Sequence, residues 1–288
     1  MKILRTVGDL RAELAPYRAG AGTIALVPTM GALHDGHLEL ARRARADNDA
    51  VVMSVFVNPA QFNDPADLAA YPRDERADAE LAAGVGVDVL FAPPVGEVYP
   101  PGFSATVQLD GPIVQTLEGA HRGVGHFHGV TTVVSKLLGM AAPDRAYFGA
   151  KDAQQARVVR ALVADLNIDT VIVTVPTVRE PDGLAMSSRN RRLSPAEHAQ
   201  ALGLYAALRS AQQMSSGGER RSEPLLTEAR RVLGDHDITP EYLALVGADT
   251  FLPAASVGTG PALLLLAAQI GATRLIDNVL LGPPLSIR

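Results

Sequence analysis

Apolar runs of strand length alternate with helical segments through the first two-thirds of the chain, and this alternation constrains the fold more than any other feature. Strands are predicted at 23–28, 50–57, 87–92, 145–148 and 170–176, with helices between them at 35–47, 74–84, 128–141 and 152–165. Strands that are apolar at successive positions are buried on both faces, which is typical of a parallel sheet covered by helices. We therefore predict an α/β fold, a Rossmann-like parallel sheet with helices on both faces.

The pattern changes after residue 177. A loop at 177–194 ends in Ser194 and Pro195, an N-cap followed by proline at the first helical position, which predicts a helix to about residue 214. A helix at 224–233 and strand-like segments near 241–246, 262–269 and 273–281 follow. We predict a first domain over residues 1–177 and a smaller α+β lid domain over 178–288, which carries the segment MSSRN.

Composition narrows the class of protein. The 288 residues include no cysteine, which excludes disulfides, thiolate metal sites and cysteine nucleophiles. The net charge is −5 without a basic face, which argues against a nucleic-acid partner. The N-terminus lacks the apolar core of a signal peptide, and the apolar run at 262–272 is too short to span a membrane. We expect a cytoplasmic protein with neither a nucleic-acid nor a membrane partner.

The first polar motif, HDGH at residues 34–37, follows the first of these predicted strands. His34 and His37 share one face of a first helical turn, where backbone N–H groups and the helix dipole favour phosphate. Gly36 between them leaves room for a ligand. Two other interpretations stay open: an ordinary helix start, and a zinc site completed by His126 and His128. Neither a P-loop nor a dinucleotide fingerprint appears in the turn before this helix, so any nucleotide there is held in another way.

Further polar residues follow later strands or lie in the loop after 177. They are Asn58 and Gln61 in FVNPAQF, Lys151, Asp152 and Gln155 in YFGAKDAQQ, and Ser187, Ser188 and Arg189 in AMSSRN. Each segment alone is also compatible with an ordinary polar loop. The chain has only three lysines, and an ammonium suits phosphate oxygens. Because ligands bind at the carboxyl ends of parallel strands, the combined pattern predicts a site for a nucleotide and an anionic small molecule.

Four strings together closely resemble the pantoate–β-alanine ligase family: VPTMGALHDGH, FVNPAQF, YFGAKDAQQ and PTVREPDGLAMSSRNRRLS. The resemblance runs from about residue 23 to 194, and TRLIDNVLL near the C-terminus also fits. It implies ATP-dependent condensation of (R)-pantoate with β-alanine through a pantoyl adenylate, giving pantothenate, AMP and pyrophosphate. It also implies Mg²⁺ as a cofactor and a homodimer built through the first domain.

The resemblance assigns roles residue by residue. The residues implied to bind ATP are Met30, Gly31, Ala32, Leu33, His34, Asp35, Gly36, His37, Gly149, Ala150, Lys151, Asp152, Val178, Met186, Ser187, Ser188 and Arg189. Catalysis is assigned to His37 as proton donor, to His34 and to Lys151 on phosphate. Gln61 and Gln155 are implied to bind pantoate, with Gln61 also near β-alanine. No protein ligand to a metal is implied.

The sequence departs from the family pattern at three places. Ala60 stands where the family usually has Met, and Ala150 where it usually has Glu or Gln. The segment HRGVGHFHG at 121–129, which we interpret as a loop, is one residue longer than usual before His126.

Three alternatives are kept: another nucleotidyltransferase of the same fold, a zinc hydrolase using His34, His37 and His126, and a non-catalytic nucleotide-binding module.

Overall fold

A six-stranded parallel sheet forms the centre of the first of two units into which the chain divides. The structure is a computed structural model that describes residues 1–62 and 65–282. The first unit comprises Met1–Ala150 and Gln154–Pro176, and the second comprises Lys151–Ala153 with the residues from Thr177 onward. The predicted division at residue 177 assigns nucleotide binding to the first domain and the role of a lid to the second. This division and these roles stay a prediction.

The elements of the first unit follow the predicted alternation. Its strands are β1 (Lys2–Leu4), β2 (Ile24–Thr29), β3 (Ala50–Val55), β4 (Val89–Phe91), β5 (Arg145–Gly149) and β6 (Val171–Val175). Its helices are α1 (Val7–Ala19), α2 (Asp35–Asp47), α3 (Pro65–Ala69), α4 (Glu75–Gly84), α5 (Val95–Val98), α6 (Pro112–Gln115), α7 (Glu118–Arg122), α8 (Val124–Ala141) and α9 (Ala153–Asp165). A single 3-10 turn lies at Pro59–Gln61, and a second, at Ala150–Asp152, begins in the first unit and ends in the second.

The sheet has the strand order β1-β4-β3-β2-β5-β6, and every neighbouring pair is parallel. From β2 the chain winds outward through β3 to β4, whereas β5 and β6 extend the sheet in the opposite direction. The winding therefore reverses between the adjacent strands β2 and β5, which makes this the topological switch point of the sheet.

Both faces of the sheet are covered, which confirms the predicted fold class. Along β2, Ile24 and Leu26 pack in one apolar cluster with α1, α8 and α9. Ala25 and Val27 point to the other face, into a cluster with α2 and α4. Burying an aliphatic side chain such as Leu26 stabilises the fold by about 1.5–3 kcal/mol, so uninterrupted apolar strands favour this layered arrangement.

Parts of the first unit differ from the sequence interpretation, among them the short helices α3, α5 and α6, which are not predicted. Strand β1 and helix α1 are not predicted, because β1 is three residues long and largely exposed, and α1 buries only Leu10 and Leu14. The segment 121–129 is not a loop: it contains the end of α7 and the start of α8, which begins at Val124 rather than near 128. Gly123 and Gly125 lower local helix propensity, which is why the sequence favoured a loop there.

The second unit is an antiparallel sheet of β7 (Pro240–Gly247), β8 (Ala262–Ile270) and β9 (Thr273–Leu281), packed against helices α10 (Pro195–Ser216) and α11 (Ser222–Asp235). A 3-10 helix lies at Ser188–Arg192. Ser194 caps α10 as predicted, and it forms a capping box with Glu197. Within residues 1–62 and 65–282, no helix combines the length and the apolarity needed to cross a bilayer.

Candidate active site

The polar segments that follow β2, β3 and β5 leave the sheet at the same edge, because these strands are parallel. His34 and His37 follow β2, Gln61 follows β3, and Gly149 ends β5. Since β2 and β5 flank the switch point, these predicted residues lie where α/β sheets bind ligands.

The turn from β2 into α2 is built around a buried carboxylate, Asp78 on α4. The Asp78 carboxylate accepts the backbone N–H of Ala32 at 3.0 Å and that of Leu33 at 2.7 Å. Gly31 has a φ of +82°, and a Cβ there would lie 2.8 Å from the Asp78 carboxylate, so the turn requires glycine. Sequence reasoning misses Asp78, because an acidic residue in a short amphipathic helix normally faces water.

His34 is the N-cap of α2, and its Nδ1 accepts the backbone N–H of Gly36 at 3.1 Å. A backbone N–H is always the donor, so Nδ1 of His34 is the acceptor in this bond, and Nε2 is the other ring nitrogen that can reach a ligand. The ring centroids of His34 and His37 are 4.0 Å apart, and the two rings are tilted by 31° to one another. The two imidazole rings therefore lie side by side at the N-terminus of α2.

The side-chain amide of Gln61 is oriented by Asn58, which is 1% exposed. Asn58 Oδ1 accepts the backbone N–H of Ala60, and its Nδ2 donates to the carbonyl of Gly129 at 3.1 Å. These backbone partners fix the Asn58 amide, so its Nδ2 also donates to Gln61 Oε1 at 3.0 Å. Gln61 consequently directs its own NH₂ group away from Asn58, toward the sulfur of Met30 at 3.0 Å. The sequence analysis groups Asn58 with the polar residues of the predicted ligand site. In the structure Asn58 is buried, and it holds the side chain of Gln61 in place.

Two residues of the 121–129 segment lie in different environments. His126 Nδ1 lies 2.9 Å from the carbonyl oxygen of Gln61. Arg122 instead pairs through its Nε with Glu118 at 3.0 Å, within α7. The structure therefore places His126 in direct contact with the backbone of Gln61.

Neighbouring glutamines at the start of α9 differ in burial. Gln154 is 4% exposed. Its Oε1 accepts the backbone N–H of Glu118, and its Nε2 donates to the carbonyls of Ile113 and Thr116, so it joins α9 to α6 and α7. Gln155 is only partly buried. The pattern fits the assignment of Gln155 rather than Gln154 to a ligand, and that role stays a prediction.

In the second unit, the short turn Lys151–Ala153 is attached to strand β9. Asn278 Nδ2 on β9 donates to the backbone carbonyl of Lys151 at 2.9 Å. The Lys151 ammonium lies 3.7 Å from the carboxylate of Asp152, whose side chain is half exposed. This turn presents a positive and a negative group side by side.

The segment that carries MSSRN is also held within the second unit. Met186 N–H donates to the carbonyl of Val178 at 3.0 Å, and Arg179 and Ala185 form a β-bridge, so residues 178–186 fold back as a narrow loop. Ser187 Oγ accepts the N–H of Arg189 and thereby caps the 3-10 helix that follows. The predicted residues Met186 to Arg189 thus lie on a structured turn and not on an open linker.

Potential metal ligands converge at one place within the described part of the chain: Glu180, Asp182 and His198. His34, His37 and His126 do not bring three ligand atoms together in the same way. The geometry therefore gives no support to the zinc alternative built on those three histidines.

The fold and site are those of a Rossmann-like α/β protein with a polar site at the switch point of its sheet. Comparison with known proteins is more specific. A family model described as "Pantoate-beta-alanine ligase" matches residues 2–280, and the chain belongs to this family.

Sequence relatives match this chain over nearly its whole length. Pantothenate synthetase from Cereibacter sphaeroides is 53% identical over 277 residues, covering 96% of this chain and 98% of the relative. The Moorella thermoacetica enzyme of the same name is 50% identical over 287 residues, covering 98% and 99%. These matches include both units described above.

Solved structures give the same result. A crystal structure of pantothenate synthetase from Thermus thermophilus has a TM-score of 0.92 at 45% identity, covering 98% of this chain and 100% of the other. A pantoate–β-alanine ligase from Francisella tularensis, described as complexed with β-γ ATP and β-alanine, has a TM-score of 0.80 at 35% identity and covers 97% of each chain.

Proposed function

We propose that this protein is a pantoate–β-alanine ligase that condenses (R)-pantoate with β-alanine at the expense of ATP, giving pantothenate, AMP and pyrophosphate. The observation that carries the proposal is the family match over residues 2–280. In this chain the H-x-G-H motif follows β2 and the GAKD motif follows β5, the two strands at the switch point. The complex of the Francisella relative supports ATP and β-alanine as ligands.

The proposed first step forms pantoyl adenylate. A carboxylate oxygen of pantoate attacks the α-phosphorus of ATP, the bond to the bridging oxygen breaks, and pyrophosphate leaves. No covalent bond to the enzyme is needed, so the rate depends on alignment and on stabilising the charge that develops on pyrophosphate. Lys151 and Arg189 supply that positive charge in the proposal, and losing one such group costs about 3 kcal/mol of barrier, or about 100-fold in rate.

The two histidines take different parts in the proposed step. His34 can donate a hydrogen bond from Nε2 to a phosphate oxygen, since its Nδ1 accepts the N–H of Gly36. His37 is the proposed proton donor to pyrophosphate, the role that the resemblance to the ligase family assigns to it. The remaining proposed ATP contacts come from the turn Met30–Gly36, from Gly149 to Asp152, and from Val178 and Met186 to Arg189.

The proposed second step forms the amide. The amine of β-alanine attacks the acyl carbon of the adenylate, the bond to the phosphate oxygen breaks, and AMP leaves with one former carboxylate oxygen. Gln61 and Gln155 are the proposed contacts to pantoate, with Gln61 also near β-alanine. Because Asn58 Nδ2 donates to Gln61 Oε1, the NH₂ group of Gln61 points away from Asn58. It can therefore donate a hydrogen bond to an acceptor oxygen of the substrate.

The remaining parts of the proposal concern Mg²⁺, assembly and location. Mg²⁺ enters bound to ATP phosphates and therefore as part of the substrate. The half-exposed carboxylate of Asp152, beside Lys151, is an oxygen ligand of the kind that Mg²⁺ prefers. We also propose a cytoplasmic homodimer, with subunits joined through the first unit; light scattering of the purified protein tests this assembly.

Pantoate-dependent exchange of labelled pyrophosphate into ATP, measured without β-alanine, tests the proposed function. The proposal requires exchange with pantoate and none without it. A nucleotidyltransferase with another acceptor shows no exchange with pantoate, and a zinc hydrolase shows stoichiometric zinc by metal analysis instead. A non-catalytic nucleotide-binding module binds ATP and exchanges nothing.

A further inference from the structure

We infer that Asn278 is a positioning residue for Lys151: it fixes the backbone of the turn from which the lysine reaches phosphate. The inference rests on the proposed function and adds a residue to its machinery. Asn278 lies near the end of β9 and is 7% exposed. Its Nδ2 donates to the backbone carbonyl of Lys151 at 2.9 Å, across 127 positions of sequence.

The orientation of the Asn278 amide follows from its partner. A carbonyl oxygen can only accept, so the group that faces Lys151 must be the NH₂ of Asn278. The backbone N–H of Asn278 donates to Asp277 Oδ1 at 2.7 Å, and Asn278 is paired in register with Leu265 on β8. Both constraints limit the movement of Asn278, so the Lys151 carbonyl is bonded to a rigid group.

The turn that carries Lys151 needs such a support. It is a single 3-10 turn, Ala150–Asp152, between the end of β5 and the start of α9, and 3-10 hydrogen bonds are poorer than those of an α-helix. A lysine side chain has four carbons and considerable rotamer freedom, so the position of its ammonium depends on where its Cα is held. A misplacement of about 1 Å in a reacting complex can cost about 100-fold in rate.

The neighbour of Asn278 on the same strand holds the second proposed phosphate-binding segment. Asp277 forms an ion pair with Arg179 at 2.7 Å, and Arg179 lies at the base of the 178–186 loop that leads into Met186 to Arg189. Adjacent residues of β9 therefore support both segments within the second unit. Asn278 acts on the reaction through Lys151 and needs no contact with ATP or pantoate.

The experiment compares Asn278→Leu and Asn278→Ala with Gln212→Leu in the pantoate-dependent pyrophosphate exchange assay. Gln212 is a matched control, since its side-chain amide donates to the carbonyl of Leu280 on the same strand at 3.1 Å. We expect both Asn278 variants to lose about 10- to 100-fold in kcat for exchange, with the KM for pantoate nearly unchanged. Gln212→Leu should stay within about 2-fold of the wild type, and melting curves identify any variant that does not fold.

A double-mutant cycle with Lys151→Ala separates positioning from a general structural role. If Asn278 acts through Lys151, then Asn278→Leu adds less than about 2-fold to the loss already caused by Lys151→Ala. Multiplied losses in the double variant, or Asn278 variants that match Gln212→Leu, would overturn the inference while leaving the proposed function intact. A wild-type protein without pantoate-dependent exchange contradicts the proposed function itself and removes this inference with it.

Discussion

Arg179 and Asp277 form a two-point ion pair inside the second unit. Arg179 Nη1 and Nη2 donate to the two carboxylate oxygens of Asp277 at 2.7 and 3.0 Å, and the guanidinium lies 3.6 Å from the ring centroid of Tyr205. Burial raises the pKa of Asp277, and the hydrogen bonds and charge of Arg179 oppose that rise. The pair thereby joins the base of the 178–186 loop to β9.

Breaking this pair should be costly, because it leaves an unpaired charge in a buried place. We expect Asp277→Ala to lower the free energy of unfolding by about 3–5 kcal/mol, measured by urea denaturation. The exposed pair of Arg76 and Glu80 is the control, and Arg76→Ala should cost less than about 1 kcal/mol. Equal losses in the two variants would show that the Arg179–Asp277 pair contributes no more than a surface contact.

The buried Asp78 carboxylate should matter for both stability and catalysis, because it holds the turn that leads to His34. Asp78→Ala removes the acceptor of two backbone N–H groups, so we expect a loss of about 1–3 kcal/mol for each group left unsatisfied, together with reduced pyrophosphate exchange. Asp74, the exposed N-cap of the same helix, provides the control. Asp74→Ala should cost about 1 kcal/mol and leave exchange unchanged; a similar loss of exchange in both variants would assign the effect to helix α4 in general.

Two substitutions of His34 separate its structural and chemical parts. His34→Asn keeps a side-chain acceptor at the N-cap of α2, whereas His34→Ala removes it. We expect His34→Ala to lose about 1 kcal/mol of stability relative to His34→Asn, and both to weaken ATP binding because both lack the Nε2 donor. Calorimetric titration with ATP and thermal melting measure the two effects. Full ATP affinity in His34→Asn would contradict the proposed phosphate contact.

The free energy of unfolding should fall at acidic pH in part because of Glu228 on α11. Hydrogen bonds from Arg231 and Ser210 lower the pKa of Glu228 from 4.5 to about 2. A carboxyl whose pKa is lower in the folded state stabilises above its unfolded pKa, and this contribution disappears as the pH falls from about 4.5 toward 2. We expect the difference in unfolding free energy between wild type and Glu228→Gln to be full at about pH 7 and to shrink over that range. A difference that does not change with pH would show that the hydrogen bonds, not the charge, stabilise this site.

Local patterns predicted the parts of the fold whose signals lie within a few residues. The apolar runs of β2 and β8 and the Ser194–Pro195 start of α10 were predictable, because burial and capping chemistry each leave a direct mark on the sequence. Strand β1 left no such mark, because it is three residues long, largely exposed and paired with the distant β4.

The candidate site divides in the same way. His34, Lys151 and Gln61 stand in compact motifs, so the residues immediately around each of them are enough to indicate a ligand contact. Asp78 and Asn278 act on segments 45 or more positions away, and nothing in the residues around either one reveals its partner. Long-range supports of this kind become visible only when the topology brings the strands and turns together.

The most direct test of the central claim follows an oxygen atom. Pantoate labelled with ¹⁸O in its carboxylate is incubated with the protein, ATP, Mg²⁺ and β-alanine, and the AMP is examined by mass spectrometry. Attack of the carboxylate on the α-phosphorus predicts pantothenate and AMP in equal amounts, with one ¹⁸O atom in each AMP. Unlabelled AMP, or label recovered in inorganic phosphate or pyrophosphate, would contradict the adenylate mechanism proposed for this chain.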